Sequence, residues 1–263
     1  MELYLITGFL GAGKTTFLKN FARQFAGRRL RLIINEFGRA GVDGTLLREL
    51  DAALDEISNG SIFCACRLDQ FEAALEQAAA DAPDVVLVEA SGLADPTNVR
   101  RVLAQFPAVS YQGSVCVADA ARLEKVFSTA RACPRQLAVS SLVLLNKTDL
   151  ATEAQCAEAK ALILRANPAA RIRRTQLGRF EPEWLSLIVP DVDVDEVLDM
   201  PDITLQKAVL QIRPTMPFAA LQKCLVQLAG ETWRIKGFVR VPEGIFYVDC
   251  TGPEVRLTPW QGE

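Results

Sequence analysis

The stretch LYLITGFLGAGKTT, residues 3–16, decides the fold. Its apolar start is typical of a buried strand, and GFLGAGKT, Gly8 to Thr15, fits the pattern GxxxxGK[ST] and opens a helical pattern. The three glycines let the backbone turn tightly, so that successive amides and the helix N-terminus converge on phosphate oxygens. A glycine-rich turn that binds nothing is the alternative, but match and context agree. The sequence therefore predicts a phosphate-binding loop.

Residues 11–16, at the end of this loop and the start of the helix, each have an expected contact with a nucleotide. The backbone of Gly11, Ala12 and Gly13 faces the phosphates. Lys14 neutralises the β and γ phosphates and so assists catalysis, while the hydroxyl of the next residue, Thr15, reaches Mg²⁺. Thr16 is placed to contact the α phosphate. These six positions form the predicted phosphate site.

Composition narrows the class of protein further. The chain has 263 residues, half of them hydrophobic, and a formal charge of −3, with both signs spread along the sequence. One or two domains are expected, and neither nucleic acid nor an anionic membrane is an expected partner. The N-terminus lacks the basic residues of a secretory signal, so we expect a cytoplasmic protein. The seven cysteines are odd in number and mostly lie in apolar contexts, which argues against a disulfide framework. The absence of histidine removes the usual general base.

Short runs rich in valine, leucine and isoleucine alternate with longer helical patterns. Strands are predicted at LYLIT, RLRLIIN, DVVLVEA, SVCVAD, SLVLLN and RIRRT, and helices at residues 16–26, 68–80, 97–105 and 153–166. Strands that are continuously apolar are typical of a parallel sheet with helices on both faces. The fold class predicted is α/β, a P-loop NTPase domain with a mainly parallel sheet.

This domain is predicted to span residues 1–180, and the sequence pattern changes after it. An acidic linker is predicted at residues 181–203, because PDVDVDEVLDMPD concentrates carboxylates between two prolines. A cation-binding loop is the alternative, although the stretch lacks the glycine and closing glutamate of a calcium hand. Residues 204–263 are predicted to form a small α+β domain, with a strand at LQKAVLQI, a helix at 218–229 and a hairpin around Pro242-Glu243-Gly244.

The strand SLVLLN ends in NKTD, Asn146 to Asp149, which indicates the base. Asp149 can accept hydrogen bonds from N1–H and the exocyclic amine of guanine, a pair that adenine does not offer. The Asn146 amide would complete the polar edge, and the stem of Lys147 can lie along the ring. Alone, such a string is equally an ordinary turn or cap. At the carboxyl end of a strand of the same sheet it predicts GTP rather than ATP.

Two further segments are candidate sensors of the γ phosphate. Glu89, at the end of DVVLVEA, can hold Mg²⁺ through water, and the amide of Gly92 can contact the γ phosphate. In NEFGRAGVDG, Glu36 and Asp43 could reach the cation, or could be loop charges in solvent. No glutamine or histidine is evident to orient the attacking water. Slow intrinsic hydrolysis is therefore expected, with an arginine from a partner or a second copy of the chain as an accelerator.

Together these motifs resemble the CobW-like GTPases, relatives of the HypB and UreG metal-insertion proteins. The resemblance rests on GFLGAGKTT, NEFG, VEASGLADP with glutamate in place of the usual aspartate, NKTD, and RIKGFV, and it runs over nearly the whole chain. It implies a GTPase domain followed by a smaller domain, in a protein that delivers metal ions or assists cofactor assembly on clients. Implied nucleotide contacts are Gly11, Gly13, Lys14, Thr15, Thr16, Asn146, Lys147 and Asp149, and implied switch residues are Glu36, Asp43, Glu89 and Gly92.

The family's CxCC motif is only partly present. After Asn-Gly the matching positions are Ser61, Phe63 and Cys64, and Cys66 is an additional thiol. The two cysteines are candidate ligands for a soft metal, Zn²⁺ or Co²⁺, or else buried, weakly reactive thiols. Two thiolates do not close a tetrahedral site, so further ligands would come from carboxylates, a distant cysteine or a second subunit in a homodimer.

The hypothesis from sequence is a GTP-binding and GTP-hydrolysing protein that acts as a metallochaperone or a cofactor-assembly and client-remodelling switch. Its partners would be guanine nucleotide, Mg²⁺ and a client protein. Two alternatives stay open: a small-molecule kinase that uses the same phosphate loop, which NKTD argues against, and a scaffold that senses GTP without hydrolysing it.

Overall fold

The chain forms two compact units, Met1–Ile203 and Thr204–Glu263. The structure is a computed structural model, and it describes residues 1–36, 52–58, 62–63, 68–190, 210–213, 215–232, 234–251 and 254–260. None of the helices in these ranges is both long and apolar enough to span a membrane.

The first unit alternates strands with helices. Its strands are β1 (Glu2–Thr7), β2 (Leu30–Glu36), β3 (Ala53–Ser58), β4 (Val85–Glu89), β5 (Ser110–Asp119), β6 (Leu142–Asn146) and β7 (Arg171–Arg174). Its helices are α1 (Lys14–Ala22), α2 (Leu68–Asp81), α3 (Val99–Leu103), α4 (Leu123–Thr129), α5 (Ala132–Ala138) and α6 (Glu153–Ala166), with 3-10 helices at Arg23–Phe25 and Pro182–Leu187.

The strands form one sheet in the order β3-β2-β4-β1-β5-β6-β7, and each neighbouring pair is parallel. The predicted α/β class with a parallel sheet is therefore confirmed. In such a sheet all carboxyl ends meet at one edge, where open α/β folds bind ligands. The loops after β1, β4, β5, β6 and β7 consequently lie side by side at that edge.

The sheet is covered on both faces, which explains its uninterrupted apolar strands. In β1, Tyr4 and Ile6 belong to one core cluster, together with Phe17 and Phe21 of α1. The alternate residues of β1 belong to a second cluster on the opposite face. Because successive side chains of a strand point to opposite faces, a strand buried on both faces has no polar alternation.

Several elements differ from the sequence predictions. Helix α1 begins at Lys14 and ends at Ala22, where a 3-10 turn follows. Helix α3 is shorter than predicted, because Thr97 donates both its N–H and its hydroxyl to the carboxylate of Asp95 in a local turn. Strand β3 was not predicted, nor were the short helices α4 and α5, the second of which contains Pro134.

Residues 181–190, part of the predicted acidic linker, belong to the first unit and pack against its core. The 3-10 helix Pro182–Leu187 lies here, and Ile188 joins Phe180 in the core cluster beneath α1. Val189 donates its N–H to the hydroxyl of Ser141 at 3.0 Å. The acidic residues 191–202 and most of the predicted strand LQKAVLQI lie outside the described residues.

The second unit packs one helix on a small sheet. Helix α7 (Phe218–Glu231) is followed by β8 (Arg234–Val241), β9 (Gly244–Thr251) and β10 (Glu254–Pro259), which pair antiparallel in the order β10-β9-β8. The predicted helix and hairpin are thus present, and β10 is an addition. Leu221 and Leu225 of α7 form the core with Val248 of the central strand.

Candidate nucleotide-binding site

The phosphate loop, residues 8–13 between β1 and α1, has a backbone that glycine adopts most readily. Gly8, Gly11 and Gly13 have φ angles of 132°, 74° and 103°, in the region that side chains disfavour. Space is lacking as well, because a Cβ at Gly8 would lie 2.2 Å from the carbonyl oxygen of Val117 in β5. The loop is therefore pressed against the neighbouring strand.

Helix α1 begins with an uncapped end. Gly13 occupies the N-cap position; within the described residues no side chain caps the helix there, and its first turn contains no acidic residue. The first N–H groups of a helix have no partner inside the helix and bear partial positive charge. The loop and the helix end therefore have the geometry that the predicted anion-binding site requires.

Lys14 turns back toward the phosphate loop. Its residue is only 7% exposed, and Nζ donates a hydrogen bond to the carbonyl oxygen of Phe9 at 3.4 Å. The positive charge is thereby held at the loop instead of extending into solvent. Thr16, two residues further along α1, is exposed at the surface of the helix.

Two of the four residues predicted to hold Mg²⁺, Thr15 and Glu89, meet in the structure. Thr15 Oγ1 donates to Oε1 of Glu89 at 3.4 Å. Glu89 ends β4 and is 4% exposed, so its carboxylate is held inside the site. A hydroxyl and a carboxylate beside a phosphate loop are oxygen donors that suit Mg²⁺. This donor set fits the ion.

Asn146 joins the phosphate loop to the base-binding segment. It is 1% exposed; its Nδ2 donates to the carbonyl oxygen of Ala12 at 2.9 Å, and its Oδ1 accepts from the N–H of Gly178 at 3.1 Å. A Cβ at Gly13 would lie 2.5 Å from Nδ2 of Asn146. Both ends of the carboxamide are thus engaged by backbone, a connecting role that the sequence analysis did not assign.

The rest of NKTD extends toward solvent. Lys147 adopts a φ of 59°, and its Nζ pairs with Oδ2 of Asp119 at 2.9 Å. Asp119, at the end of β5, also accepts from the N–H of Ala121 at 3.0 Å. Asp149 is exposed at the rim. The ion pair holds the side chain of Lys147 against the end of β5.

The β7 loop, residues 175–178, belongs to the run RIRRTQLGR, which the sequence predicts to be a strand edge and loop with solvated charges, with contact to ribose or phosphate as the alternative. Asn20 Nδ2 donates to the carbonyl oxygens of Leu177 and Gly178 at 3.1 and 2.9 Å. A Cβ at Gly178 would lie 2.6 Å from the backbone nitrogen of Phe17, so the loop touches α1. Leu177 is 62% exposed beside it. A glycine following a strand at the ligand-binding edge was the available signal.

The switch loop, residues 91–95 after β4, lies against the phosphate loop. A Cβ at Gly92 would be 2.6 Å from the backbone nitrogen of Leu10. From α5, Gln136 Nε2 donates to the carbonyl oxygens of Gly92 and Ala94 at 3.2 and 2.9 Å. The predicted proximity of Gly92 to the phosphates is consistent with this position, whereas Gln136 had no sequence signal.

A second anchor holds the end of the switch loop. Asp95 forms an ion pair with Arg135 of α5 and accepts hydrogen bonds from Thr97. Burial by itself raises the pKa of the Asp95 carboxyl, but the Thr97 hydrogen bonds and the Arg135 charge outweigh burial and keep the pKa below its ordinary value. The carboxylate is therefore ionised at neutral pH, and the anchor is in place.

Residues 62–63, just before the cysteine pair, are bonded to neighbours of the nucleotide site. Asn35 Oδ1 accepts from the N–H groups of Ile62 and Ser91, both at 3.2 Å. Asn98 Nδ2 donates to the carbonyl oxygen of Phe63 at 3.2 Å. The segment that leads to the thiols is thereby connected to the ends of β2 and β4.

Three predicted site residues lie outside the described residues, and a fourth is described only in its backbone. Asp43, Cys64 and Cys66 lie outside the described residues, and Glu36 is described only as the last residue of β2. Within the described ranges, no group of three or more cysteine, aspartate or glutamate side chains could hold a metal ion. The predicted soft-metal site therefore stays a prediction.

The described cysteines are mostly interior residues. Cys116, Cys133, Cys156 and Cys250 are buried thiols, and Cys224 is partly buried. Burial raises the pKa of Cys116 to about 12, so this thiol stays protonated at neutral pH. Such thiols are packing residues, as the composition indicates.

A small cavity lies behind the phosphate loop. It is lined by residues of that loop, of β5 and of α4 and α5, including Gln136, and its volume of about 20 Å³ admits about one water molecule. A nucleotide does not fit there. The candidate site is instead the open edge above the loop.

Comparison with known proteins agrees with this geometry. Residues 2–174 match the family described as CobW/HypB/UreG, nucleotide-binding domain. The zinc chaperone CobW of Pseudomonas aeruginosa is 32% identical over 206 residues, which cover 65% of this chain and 55% of that protein. The zinc chaperone YjiA of Escherichia coli is 26% identical over 226 residues, covering 82% of this chain and 66% of that protein.

This chain thus spans about half to two thirds of the length of these relatives. Among solved structures, the signal recognition particle receptor FtsY of Elizabethkingia anophelis in complex with GDP superposes with a TM-score of 0.50 at 15% identity, covering 72% of this chain and 64% of FtsY. Identity at that level shows the fold alone. Because the family match extends over well more than half of the chain, this protein belongs to the CobW/HypB/UreG family.

Proposed function

We propose that the protein binds and hydrolyses GTP with Mg²⁺ and uses this cycle to deliver a metal ion, or to assist cofactor assembly, on a client protein. The observation that carries the proposal is the hydrogen bond from Asn146 Nδ2 to the carbonyl oxygen of Ala12 at 2.9 Å. It fastens the phosphate loop to the segment that contains Asp149. One connected unit can therefore address both ends of a nucleotide.

The phosphate end would act through the backbone and one lysine. Amides of the phosphate loop and the start of α1 would surround the α and β phosphates, and Lys14 would neutralise charge on the β and γ phosphates. Thr15 and Glu89 would hold Mg²⁺, directly or through water. When bound, the ion supplies charge neutralisation between the β and γ phosphates.

The base end would select guanine. Asp149 is exposed and able to receive the two N–H donors of the guanine edge, and the stem of Lys147 can cover one face of the ring. Adenine would leave the carboxylate facing an acceptor nitrogen instead of a donor. A site built around such a hydrogen-bonding group rejects the wrong ligand strongly, because the group is left unpaired.

Hydrolysis is expected to be slow in the isolated protein. The chain has no histidine, and Gln136, beside the switch loop, uses its amide to hold the carbonyl oxygens of Gly92 and Ala94. Its Nε2 is thereby committed to the backbone of the switch loop. An arginine supplied by the client or by a second copy of the chain would accelerate the reaction.

The proposed cargo is Zn²⁺, with Co²⁺ as the second candidate, held by Cys64 and Cys66 and completed by further ligands. Two observations support this part of the proposal. The relatives CobW and YjiA are named zinc chaperones. The segment before the thiols is hydrogen-bonded through Asn35 to Ser91, beside the proposed γ-phosphate contact.

The test is a titration of GTP and ATP in the presence of Mg²⁺, with phosphate release measured in parallel. We expect selective GTP binding, and we expect Lys14→Ala to weaken GTP binding about 100-fold, because a charge-assisted contact to phosphate is lost. Lys160→Ala is the matched control, since it removes an exposed lysine of α6 far along the chain. Equal affinity for ATP and GTP in the native protein would contradict the proposal.

The cargo is tested separately by Zn²⁺ titration of the reduced protein, with and without a GTP analogue. Tighter binding with the analogue, lost in Cys64→Ser/Cys66→Ser, is the expected result. Cysteine-independent binding would remove the metal from the proposal and leave a client-remodelling GTPase. Phosphate transfer to a small acceptor faster than to water would instead favour a kinase.

A further inference from the structure

The switch loop contains two backbone donors that are held in place but unused. Ser91 donates its N–H to Oδ1 of Asn35 at 3.2 Å, and Ala94 donates to the carbonyl oxygen of Ser91 at 3.0 Å. Between them, the N–H groups of Gly92 and Leu93 find no acceptor among the residues that the structure describes. Open donors between fixed neighbours form a ready site for an anion.

Gln136 fixes this loop from the side of α5. It is 1% exposed, and its Nε2 donates to the carbonyl oxygens of Gly92 and Ala94 at 3.2 and 2.9 Å. Its backbone carbonyl accepts from the hydroxyls of Ser140 at 2.8 Å and Thr7 at 3.5 Å, which ties this turn of α5 to β1. Gln136 thus connects the central strand β1 rigidly to the switch loop.

The side-chain amide of Gln136 has one favourable orientation. Its Oε1 is buried with no hydrogen-bond partner in the described part of the chain. A flipped amide would turn that oxygen toward the carbonyl oxygens of Gly92 and Ala94 and lose both donated bonds. The connection that Gln136 makes therefore depends on the N–H groups of its side chain and not on its bulk alone.

The switch loop held by Gln136 contacts the phosphate loop. A Cβ at Gly92 would lie 2.6 Å from the backbone nitrogen of Leu10, so Gly92 has no room to shift toward it. The phosphate loop and Lys14 suffice for a diphosphate. A third phosphate bound beyond them on the side of Glu89 would meet the switch loop, where the N–H of Gly92 is open and is the predicted γ-phosphate contact.

We propose that Gln136 is a positioning residue for the terminal phosphate: it holds Gly92 and Ala94 so that the Gly92 N–H is fixed to receive the third phosphate of GTP. The inference rests on the proposed function, because it concerns the same nucleotide. Its consequence is discrimination between the triphosphate and the diphosphate. Affinity for GDP does not depend on Gln136, whereas affinity for GTP does.

The experiment compares dissociation constants for GDP and for the slowly hydrolysed analogue GTPγS, both with Mg²⁺, in native protein and in Gln136→Met. Methionine preserves length and approximate volume but donates no hydrogen bond. We expect unchanged GDP affinity and about tenfold weaker GTPγS binding, the effect of losing one to two buried hydrogen bonds.

Ser140→Ala is the matched control, two residues beyond the end of α5. It removes a buried hydrogen bond to the backbone of Gln136 without touching the switch loop, so it should lower thermal stability and leave the ratio of GDP to GTPγS affinity at its native value. A merely structural role for Gln136 would make both variants behave alike. Should Gln136→Met not fold, Gln136→Asn retains an amide but retracts it from the loop, and the same ratio is measured.

An unchanged affinity ratio in the glutamine variant, or an equal loss for both nucleotides, overturns the inference. Native protein that fails to bind GDP and GTPγS at all would overturn the proposed function instead. The native titration therefore separates the two failures.

Discussion

At the proposed phosphate end of the candidate site the backbone would supply the contacts, whereas at the proposed base end side chains would supply them. Gly8 and Gly13 leave no room for a Cβ, against Val117 and Asn146 respectively. At the other end, Lys147 is paired with Asp119, and Asp149 extends into solvent. One end is shaped by close packing, and the other by two charged side chains.

This difference indicates which kind of substitution would abolish binding at each end of the site. A binding site formed by backbone groups is lost when the fold around it is strained, because its contacts depend on the path of the chain and not on an exchangeable side chain. A side-chain site can change its ligand while the fold stays intact. Asn146 belongs to both ends, since its amide bonds to the phosphate loop and to the β7 loop.

The largest effect is expected from Gly8→Ala. The new Cβ would clash with the carbonyl oxygen of Val117 and would require alanine at a φ of 132°. We expect a loss of about 3 kcal/mol in the free energy of unfolding and undetectable binding of any nucleotide. Denaturant unfolding and GDP titration measure the two quantities.

Gly27→Ala is the control for that variant. Gly27 also has a positive φ, 83°, but a Cβ there meets nothing within 4 Å. It should cost only the conformational strain, about 1 kcal/mol, and leave nucleotide binding unchanged. Equal losses in the two alanine variants would show that close packing at Gly8 is unimportant.

A smaller effect, confined to ligand choice, is expected from Asp149→Asn. The exposed carboxylate has no role in packing, so the free energy of unfolding should change by less than about 0.5 kcal/mol. The preference for GTP over ATP should fall by about 100-fold, because the acceptor for two guanine N–H groups is lost. Competition binding with both nucleotides measures it, and a preserved preference would move base recognition elsewhere.

The smallest change in ligand choice is expected from Asn146→Ala. It leaves the carbonyl of Ala12 and the N–H of Gly178 without their partner, which should lower the free energy of unfolding by about 2 kcal/mol. GTP and ATP should both bind more weakly, with little change in their ratio. A marked fall in the GTP/ATP ratio would instead assign Asn146 to direct reading of guanine, as the sequence pattern predicts.

Local patterns were sufficient for much of this site. GFLGAGKT and NKTD are contiguous, and each follows an apolar strand, so sequence spacing and sheet order lead to the same edge. The contact of Thr15 with Glu89 follows from that logic as well, because neighbouring parallel strands β1 and β4 end together.

Contacts between distant segments were not predictable in the same way. Gln136 lies 44 residues beyond Gly92, on a short helix without a distinctive pattern, and nothing local distinguishes it from a surface glutamine. Asn35 likewise bridges Ile62 and Ser91 from the end of β2. Such roles arise only when the sheet order is known, since it decides which loops become neighbours.

The aromatic packing around α1 has a consequence for where the first unit can be cut. The ring of Phe180 lies 5.9 Å from that of Phe17, 4.9 Å from that of Phe21 and 5.8 Å from that of Trp184. A chain shortened to the region of family similarity, which ends at residue 174, would strip these rings from the helix that follows the phosphate loop. We therefore expect a stable fragment that contains the phosphate loop to require residues 175–190.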